Sequence, residues 1–187
     1  MNEAHNSNPP IGIILAGGLS SRMGTDKALL KRNGVTMLEH CEQLLKQAGI
    51  TQILISRNNG SGIADIIQNS GPLGGIYSVI KPLPSGTAVV ILPVDMPLLA
   101  ADDLSLLIQI GQQSNQMIFF DDCYLPLYLP VDESVKAYLH EQLHNDGNRS
   151  VKGLIKHFTW QSLAVNDSQK LTNTNTPQQW QQTQALG

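Results

Sequence analysis

The sequence predicts an α/β fold, a doubly wound, mostly parallel sheet with helices on both faces, and three observations lead there. Apolar runs at residues 11–15, 50–55 and 87–92 are short and rich in β-branched residues, as strands buried on both faces should be. Segments of helical periodicity alternate with them, the pattern of a layered α/β domain. The first run also empties into a glycine-rich, basic segment, Ala16-Gly17-Gly18-Leu19-Ser20-Ser21-Arg22-Met23-Gly24-Thr25-Asp26-Lys27. In such folds ligands bind at the carboxyl ends of the strands.

Taken in order, residues 11–15 form the first strand. Thr36-Met37-Leu38-Glu39 is a capping box; Met37, Cys41, Leu44, Leu45 and Ala48 follow at helical spacing until Gly49 ends the run. Strands follow at 50–55 and 87–92. Helices are expected at 76–81, 102–112, 132–143 and 151–158, with strands near 116–120 and 124–129, and a short helix opens at Thr176-Pro177. One domain is expected over residues 1–187, with 1–10 and about 182–187 as flexible ends, because the glutamine- and threonine-rich tail has almost no apolar content.

Composition excludes several classes. A net charge of -3, with 14% of residues charged, gives no basic patch to hold nucleic acid by counterion release. No apolar run approaches the ~20 residues of a membrane span, and the polar start with Glu3 is neither a signal nor a transit peptide, so a cytoplasmic protein is expected. Cys41 and Cys123 lack a paired metal spacing, and Cys41 is most simply a small core residue.

The loop after the first strand carries the chemistry. Paired glycines expose backbone N–H groups to an anion, and Arg22 and Lys27 add a guanidinium fork and a mobile ammonium. The order of residue types fits a triphosphate better than a carboxylate. It is not a P-loop, since Thr25-Asp26 rather than Lys-Ser or Lys-Thr follow Gly24, nor does Gly17-Gly18 have dinucleotide-fingerprint spacing. Asp95, in Pro93-Val94-Asp95-Met96-Pro97, follows the strand at 87–92 and so falls on the same sheet edge. An aspartate there could simply tie its own turn.

These residues resemble the molybdenum cofactor guanylyltransferases. The resemblance rests on Leu15 to Leu30, on Gly71-Pro72-Leu73-Gly74-Gly75, on Pro93 to Pro97 and on Asn173-Thr174-Asn175-Thr176-Pro177, and spans residues 11 to 180. It implies a Rossmann-like nucleotidyltransferase fold and transfer of GMP from GTP to the terminal phosphate of molybdopterin, with release of pyrophosphate. It implies Mg²⁺ as cofactor, held by Asp95, since one or two carboxylates suffice when phosphate and water supply the remaining ligands. By the same resemblance Arg22, Lys27 and Asp95 are catalytic, and Leu15, Ala16, Gly17, Gly18, Lys27, Ser56, Asp65 and Asp95 contact the nucleotide. Asn173 and Asn175 would contact molybdopterin. A molybdopterin insertase and molybdoenzymes are the protein partners this role implies, without saying which.

The sequence departs from the family between residues 56 and 70. The connection is shorter, and Asp65 is the carboxylate left to read the base, unless Ala64-Asp65-Ile66 is strand. Ser56 reads equally as a nucleotide contact and as a plain strand-end serine. Asn173 and Asn175 share one face of an extended segment, while Asn175 also suits the cap of the helix after it. Gly71 to Gly75 also reads as a turn before a helix. A cytidylyl or sugar-phosphate nucleotidyltransferase and a non-catalytic nucleotide-binding homologue are the alternatives. His140-Glu141-Gln142-Leu143-His144 has the zinc peptidase spacing, but Ser150 stands where a third histidine belongs. At about 100° per residue both histidines fall opposite the apolar side of their helix.

Overall fold

A computed structural model describes residues 8–17, 26–145, 147–165 and 167–184. Strand β1 is Ile11–Leu15; Lys31–Arg32 (β2) and Val35–Thr36 (β3) make a small hairpin before helix α1, Met37–Gln47. Strand β4, Ile53–Ser56, precedes α2, Gly71–Ile80, and β5, Thr87–Pro93, precedes α3, Ala101–Ser114. Strands β6, Met117–Phe120, and β7, Cys123–Val131, lead to helices α4, Glu133–His144, and α5, Val151–His157, then β8, Trp160–Leu163, and α6, Pro177–Gln184.

The main sheet has the order β4-β1-β5-β7-β6-β8. Strands β4, β1 and β5 pair in parallel, as do β6 and β8, whereas β7 runs against both of its neighbours. The sheet is therefore mixed, because β6 and β7 are joined by a tight turn at Asp121-Asp122, which can only connect antiparallel strands. Alternation along the strands sorts the core into two layers. Ile14, Val90, Leu92, Ile118 and Tyr128 face α1 and α3, while Ile13, Val89, Ile91, Phe119 and Leu127 face α2, α4 and α5. Both faces are covered, which gives the expected three layers.

Four features differ from the sequence expectation. Helix α2 begins at Gly71 rather than residue 76, so Gly71-Pro72-Leu73-Gly74-Gly75 is not a turn but the helix's first turns, with Pro72 placed where no intrahelical donor is needed. A Cβ at Gly75 would lie 2.5 Å from Ser56 Oγ, so this glycine lets the helix sit against the end of β4. The short helix expected at Thr176-Pro177 is α6, and it continues to Gln184 instead of giving way to a flexible end at about 182, held by Trp180 and Thr183, which are 9% and 3% exposed. One buried indole supplies more apolar burial than the tail's average composition suggests. Strand β8 and the β2–β3 hairpin were not expected; Trp160–Leu163 is half polar and short, and the Asn33-Gly34 turn, both residues at positive φ, joins strands of two residues.

The capping box is present: Glu39 N–H donates to Thr36 Oγ1 at 3.2 Å and Thr36 N–H to Glu39 Oε2 at 2.9 Å. Cys41 lies buried on α1, its thiol donating weakly to Pro93 O at 3.9 Å. Burial pushes that thiol up to about 12, with Asp95 and Glu42 adding to the rise, as befits an inert core residue.

Candidate active site at the carboxyl edge of the sheet

Register brings the ends of three strands level. Leu15 pairs with Ser56 on one side and with Pro93 on the other. Ala16 N–H donates to Ser56 O at 2.9 Å, and Val94 N–H to Leu15 O at 3.2 Å. The segments leaving β1, β4 and β5 thus start from one line across the sheet.

Asp26 opens the 3₁₀ turn Lys27–Leu29 by accepting Ala28 N–H at 3.0 Å. That turn aims Lys27 inward. Its ammonium donates to Asp95 Oδ2 at 2.9 Å and to Asn175 Oδ1 at 2.7 Å. Residues 68 and 148 positions away in the chain therefore meet at one lysine. Asp95 and Lys27 are each about four-fifths withdrawn from solvent, where an ion pair is screened less than at the surface.

The C-terminal segment reaches this point through a residue that the sequence reading passes over. Thr174 is 2% exposed; its N–H donates to Asp95 O at 2.8 Å and its hydroxyl to the same carbonyl at 3.2 Å. Asn173 and Asn175 flank it on the exposed side. Asn175 is not the cap of α6. Thr176 takes that role, its Oγ1 accepting Gln179 N–H at 3.2 Å while Gln179 Oε1 accepts the N–H groups of Asn175 and Thr176 at 2.8 and 3.1 Å. The reciprocal arrangement is a capping box, and it leaves the Asn175 amide to Lys27. Asn173 lines a cleft of about 440 Å³ beside Lys27's partners, together with Asp121, Asp122, Cys123, Val165 and Leu171.

Asp65 is not in a strand. Ile63 makes an isolated bridge beside Ser56, and Asp65 lies just beyond it. Asn58, also overlooked in the sequence, holds it from both ends: Asp65 N–H donates to Asn58 Oδ1 at 2.7 Å, and Asn58 Nδ2 to Asp65 Oδ2 at 3.0 Å. Asn58 Nδ2 would also lie 3.9 Å from a Cβ at Gly17, so Asp65 is tied to a side chain that stands beside the end of β1 despite the short connection. Ser56 is buried, its Oγ turned to the backbone of Gly75. Ala16 and Gly17 stand at the end of β1, while Gly18 and Arg22 lie outside the described residues.

The two histidines of the zinc-like motif are on the exposed side of α4. Their rings stack 3.9 Å apart against the edge of Tyr77, and His144 Nδ1 faces His140 O at 2.8 Å. Among the described residues no group of three His, Cys, Asp or Glu side chains is placed to hold a metal.

A mixed, mostly parallel sheet with helices on both faces, and with Lys27 meeting the strand-end Asp95 at one edge, is a nucleotidyltransferase fold. The chain belongs to the family described as MobA-like NTP transferase domain, which it matches over residues 12–158. It is 40% identical over 177 residues to the molybdenum cofactor guanylyltransferase of Xanthomonas euvesicatoria pv. vesicatoria, covering 92% of this chain and 93% of that protein. The enzyme of the same name from Yersinia pseudotuberculosis is 31% identical over 179 residues, covering 89% and 90%. The fold is similar to that of molybdopterin-guanine dinucleotide biosynthesis protein A from Archaeoglobus fulgidus, with TM-score 0.73 and 17% identity over 94% of this chain and 97% of that one. It is also similar to that of 2-C-methyl-D-erythritol 4-phosphate cytidylyltransferase from Thermus thermophilus, with TM-score 0.65 and 13% identity over 95% and 98%. No helix among the described residues is long and apolar enough to cross a membrane.

Proposed function

We propose that this protein transfers GMP from GTP to the terminal phosphate of molybdopterin, releasing pyrophosphate. The observation that carries the reading is the meeting of Lys27, Asp95 and Asn175. It joins the exit of the nucleotide loop, the end of β5 and the C-terminal segment at one cation. A site built to bring two phosphorylated substrates together needs such a junction.

The attacking phosphate monoester needs no general base, because its second pKa of about 6 leaves it largely dianionic at neutral pH. Its oxygen bonds to the α-phosphorus of GTP, and the bridging oxygen leaves with the β- and γ-phosphates. The obstacle is repulsion between anions, so neutralisation and alignment are the work of the site. Lys27 supplies a positive charge on a mobile stem, and the amide of Gly17, with Gly18 and Arg22, is assigned to the triphosphate, while Ala16, its N–H taken by Ser56 O, fixes where that segment leaves β1. Asp65, oriented by Asn58, is assigned to the base. Asn175 and Asn173 are assigned to molybdopterin, the latter through the cleft it lines. Ser56 is assigned a part through its carbonyl, which accepts Ala16 N–H, rather than through its hydroxyl.

The donor set suits Mg²⁺: Asp95 and Asn175 present hard oxygens already gathered around one positive charge. Asp95 would hold the metal beside Lys27. When bound, Mg²⁺ would neutralise phosphate charge and favour departure of pyrophosphate. A cytoplasmic setting, with exchange of substrate and product through an insertase and molybdoenzymes, belongs to the same reading and agrees with two free cysteines.

Calorimetric titration with GTP and with CTP, each with Mg²⁺, followed by pyrophosphate release in the presence of molybdopterin, tests it. Preference for GTP with release is the expected result. Preference for CTP would move the assignment to cytidylyl transfer, and binding of neither nucleotide would refute it.

A further inference from the structure

Beyond the residues assigned to substrate, Arg57 stands out. It is the first residue after β4, and its guanidinium reaches across to Asp26, Nη2 to Oδ2 at 2.5 Å, over 31 positions of sequence. The Arg57 side chain is only 15% exposed. Its backbone is fixed at the neck of the following loop, where Arg57 N–H donates to Ile63 O at 3.0 Å and Ile63 N–H to Ile55 O at 2.8 Å. The neck is tight: a Cβ at Gly62 would lie 2.8 Å from Arg57 Cβ. Arg57 can therefore act as a fixed post.

Asp26 is fully engaged as a result. One oxygen accepts Ala28 N–H and so starts the turn that carries Lys27; the other accepts Arg57. Asp26-Lys27 is thus clamped on both sides, to the end of β4 through Arg57 and to the end of β5 through Asp95. The clamp has a cost. Arg57 Nε is buried without a hydrogen-bond partner among the described residues, and an unmet buried donor destabilises a fold. A contact kept at such expense is characteristic of groups that serve a site rather than stability.

We infer that Arg57 is a positioning residue for the transfer reaction: through Asp26 it sets the direction of Lys27 toward the triphosphate. The inference rests on the reading that Lys27 meets the nucleotide. A flexible lysine stem populates many rotamers, so a turn held at its root restricts where the ammonium can be when charge develops. Arg57 itself touches no substrate. Its effect passes through one neighbour.

The test is steady-state pyrophosphate release by the full chain with GTP, Mg²⁺ and molybdopterin. Arg57→Met is expected to lower kcat about tenfold with KM for GTP changed much less, since misdirection of a charge is felt most in the transition state. Asp26→Asn should do the same, and Arg57→Lys should recover most of the rate. The deciding measurement is Arg57→Met placed in a Lys27→Ala chain: no further loss is expected there, because the residue through which Arg57 acts is gone. A further loss of several-fold in that background, or an Arg57→Met chain as fast as wild type, would overturn the inference while leaving the guanylyltransferase reading intact. An inactive wild-type chain would overturn both. If Arg57→Met does not fold, the isosteric Asp26→Asn carries the same comparison.

Discussion

Replacing Lys27 by alanine removes an ammonium that holds two oxygens, Asp95 Oδ2 at 2.9 Å and Asn175 Oδ1 at 2.7 Å. Two quantities are at stake, and the structure separates them. The ion pair is partly solvated, so its loss costs the fold about 1 kcal/mol, toward the upper end for pairs that water reaches. For a chain of this size that lowers the melting temperature by about 2–4 °C. Against a total stability on the order of 5–15 kcal/mol, the variant stays folded at assay temperature. The catalytic cost is larger. Removing one preorganised group that meets developing charge lowers turnover by about 10²–10³-fold, on the order of 3–4 kcal/mol. The assay is pyrophosphate release at saturating GTP and molybdopterin, with thermal unfolding followed by circular dichroism on the same preparation. Turnover within about threefold of wild type would remove Lys27 from the mechanism. A melting temperature lowered by more than about 10 °C would show instead that the residue acts through the fold.

Gly111→Ala should destabilise, since its Cβ would press into the Tyr128 ring at Cδ1 and Cγ in a buried contact between α3 and β7; overpacking of about 1–3 kcal/mol outweighs the ~1 kcal/mol gain in helix propensity, and an unchanged denaturation midpoint would contradict this. Gly17→Ala should leave the fold untouched, because its Cβ would meet only ordinary contacts at 3.8–3.9 Å, one of them to Asn58, while an added methyl beside the bound nucleotide lowers affinity for GTP by calorimetry; unchanged affinity would remove Gly17 from the nucleotide site. His40 is held below its ordinary value by burial, with the Arg32 guanidinium adding to it. The unfolded chain then binds a proton that the folded chain resists, so stability is full above about pH 6.5 and falls as the pH drops below it. Melting temperatures measured from about pH 7.5 down to about 5.5 should decline less in His40→Gln than in wild type, and parallel slopes would refute the assignment.

The sequence alone determined the layered α/β class, the strands around β1 and β5, the capped helix α1 and the placement of Lys27 and Asp95 on one sheet edge. Those follow from local rules: apolar runs, side-chain periodicity and the geometry of parallel strands. Tertiary structure decided the rest. Antiparallel β7 could not be read from its composition, because a strand buried on both faces has the same apolar content whichever way it runs. The start of helix α6 was legible at Thr176-Pro177, but its hold to Gln184 was not, because its anchorage is one indole seated against a core assembled elsewhere in the chain. Arg57, Asn58 and Thr174 carry no local signature, and their importance lies in partners 31, 7 and 79 positions away. Asn175 had two readings that sequence could not separate, since a cap and a ligand-facing amide look alike until Thr176 takes the helix and Lys27 takes the amide. Patterns along a chain report which faces are buried; which polar groups meet is settled only when the chain closes on itself.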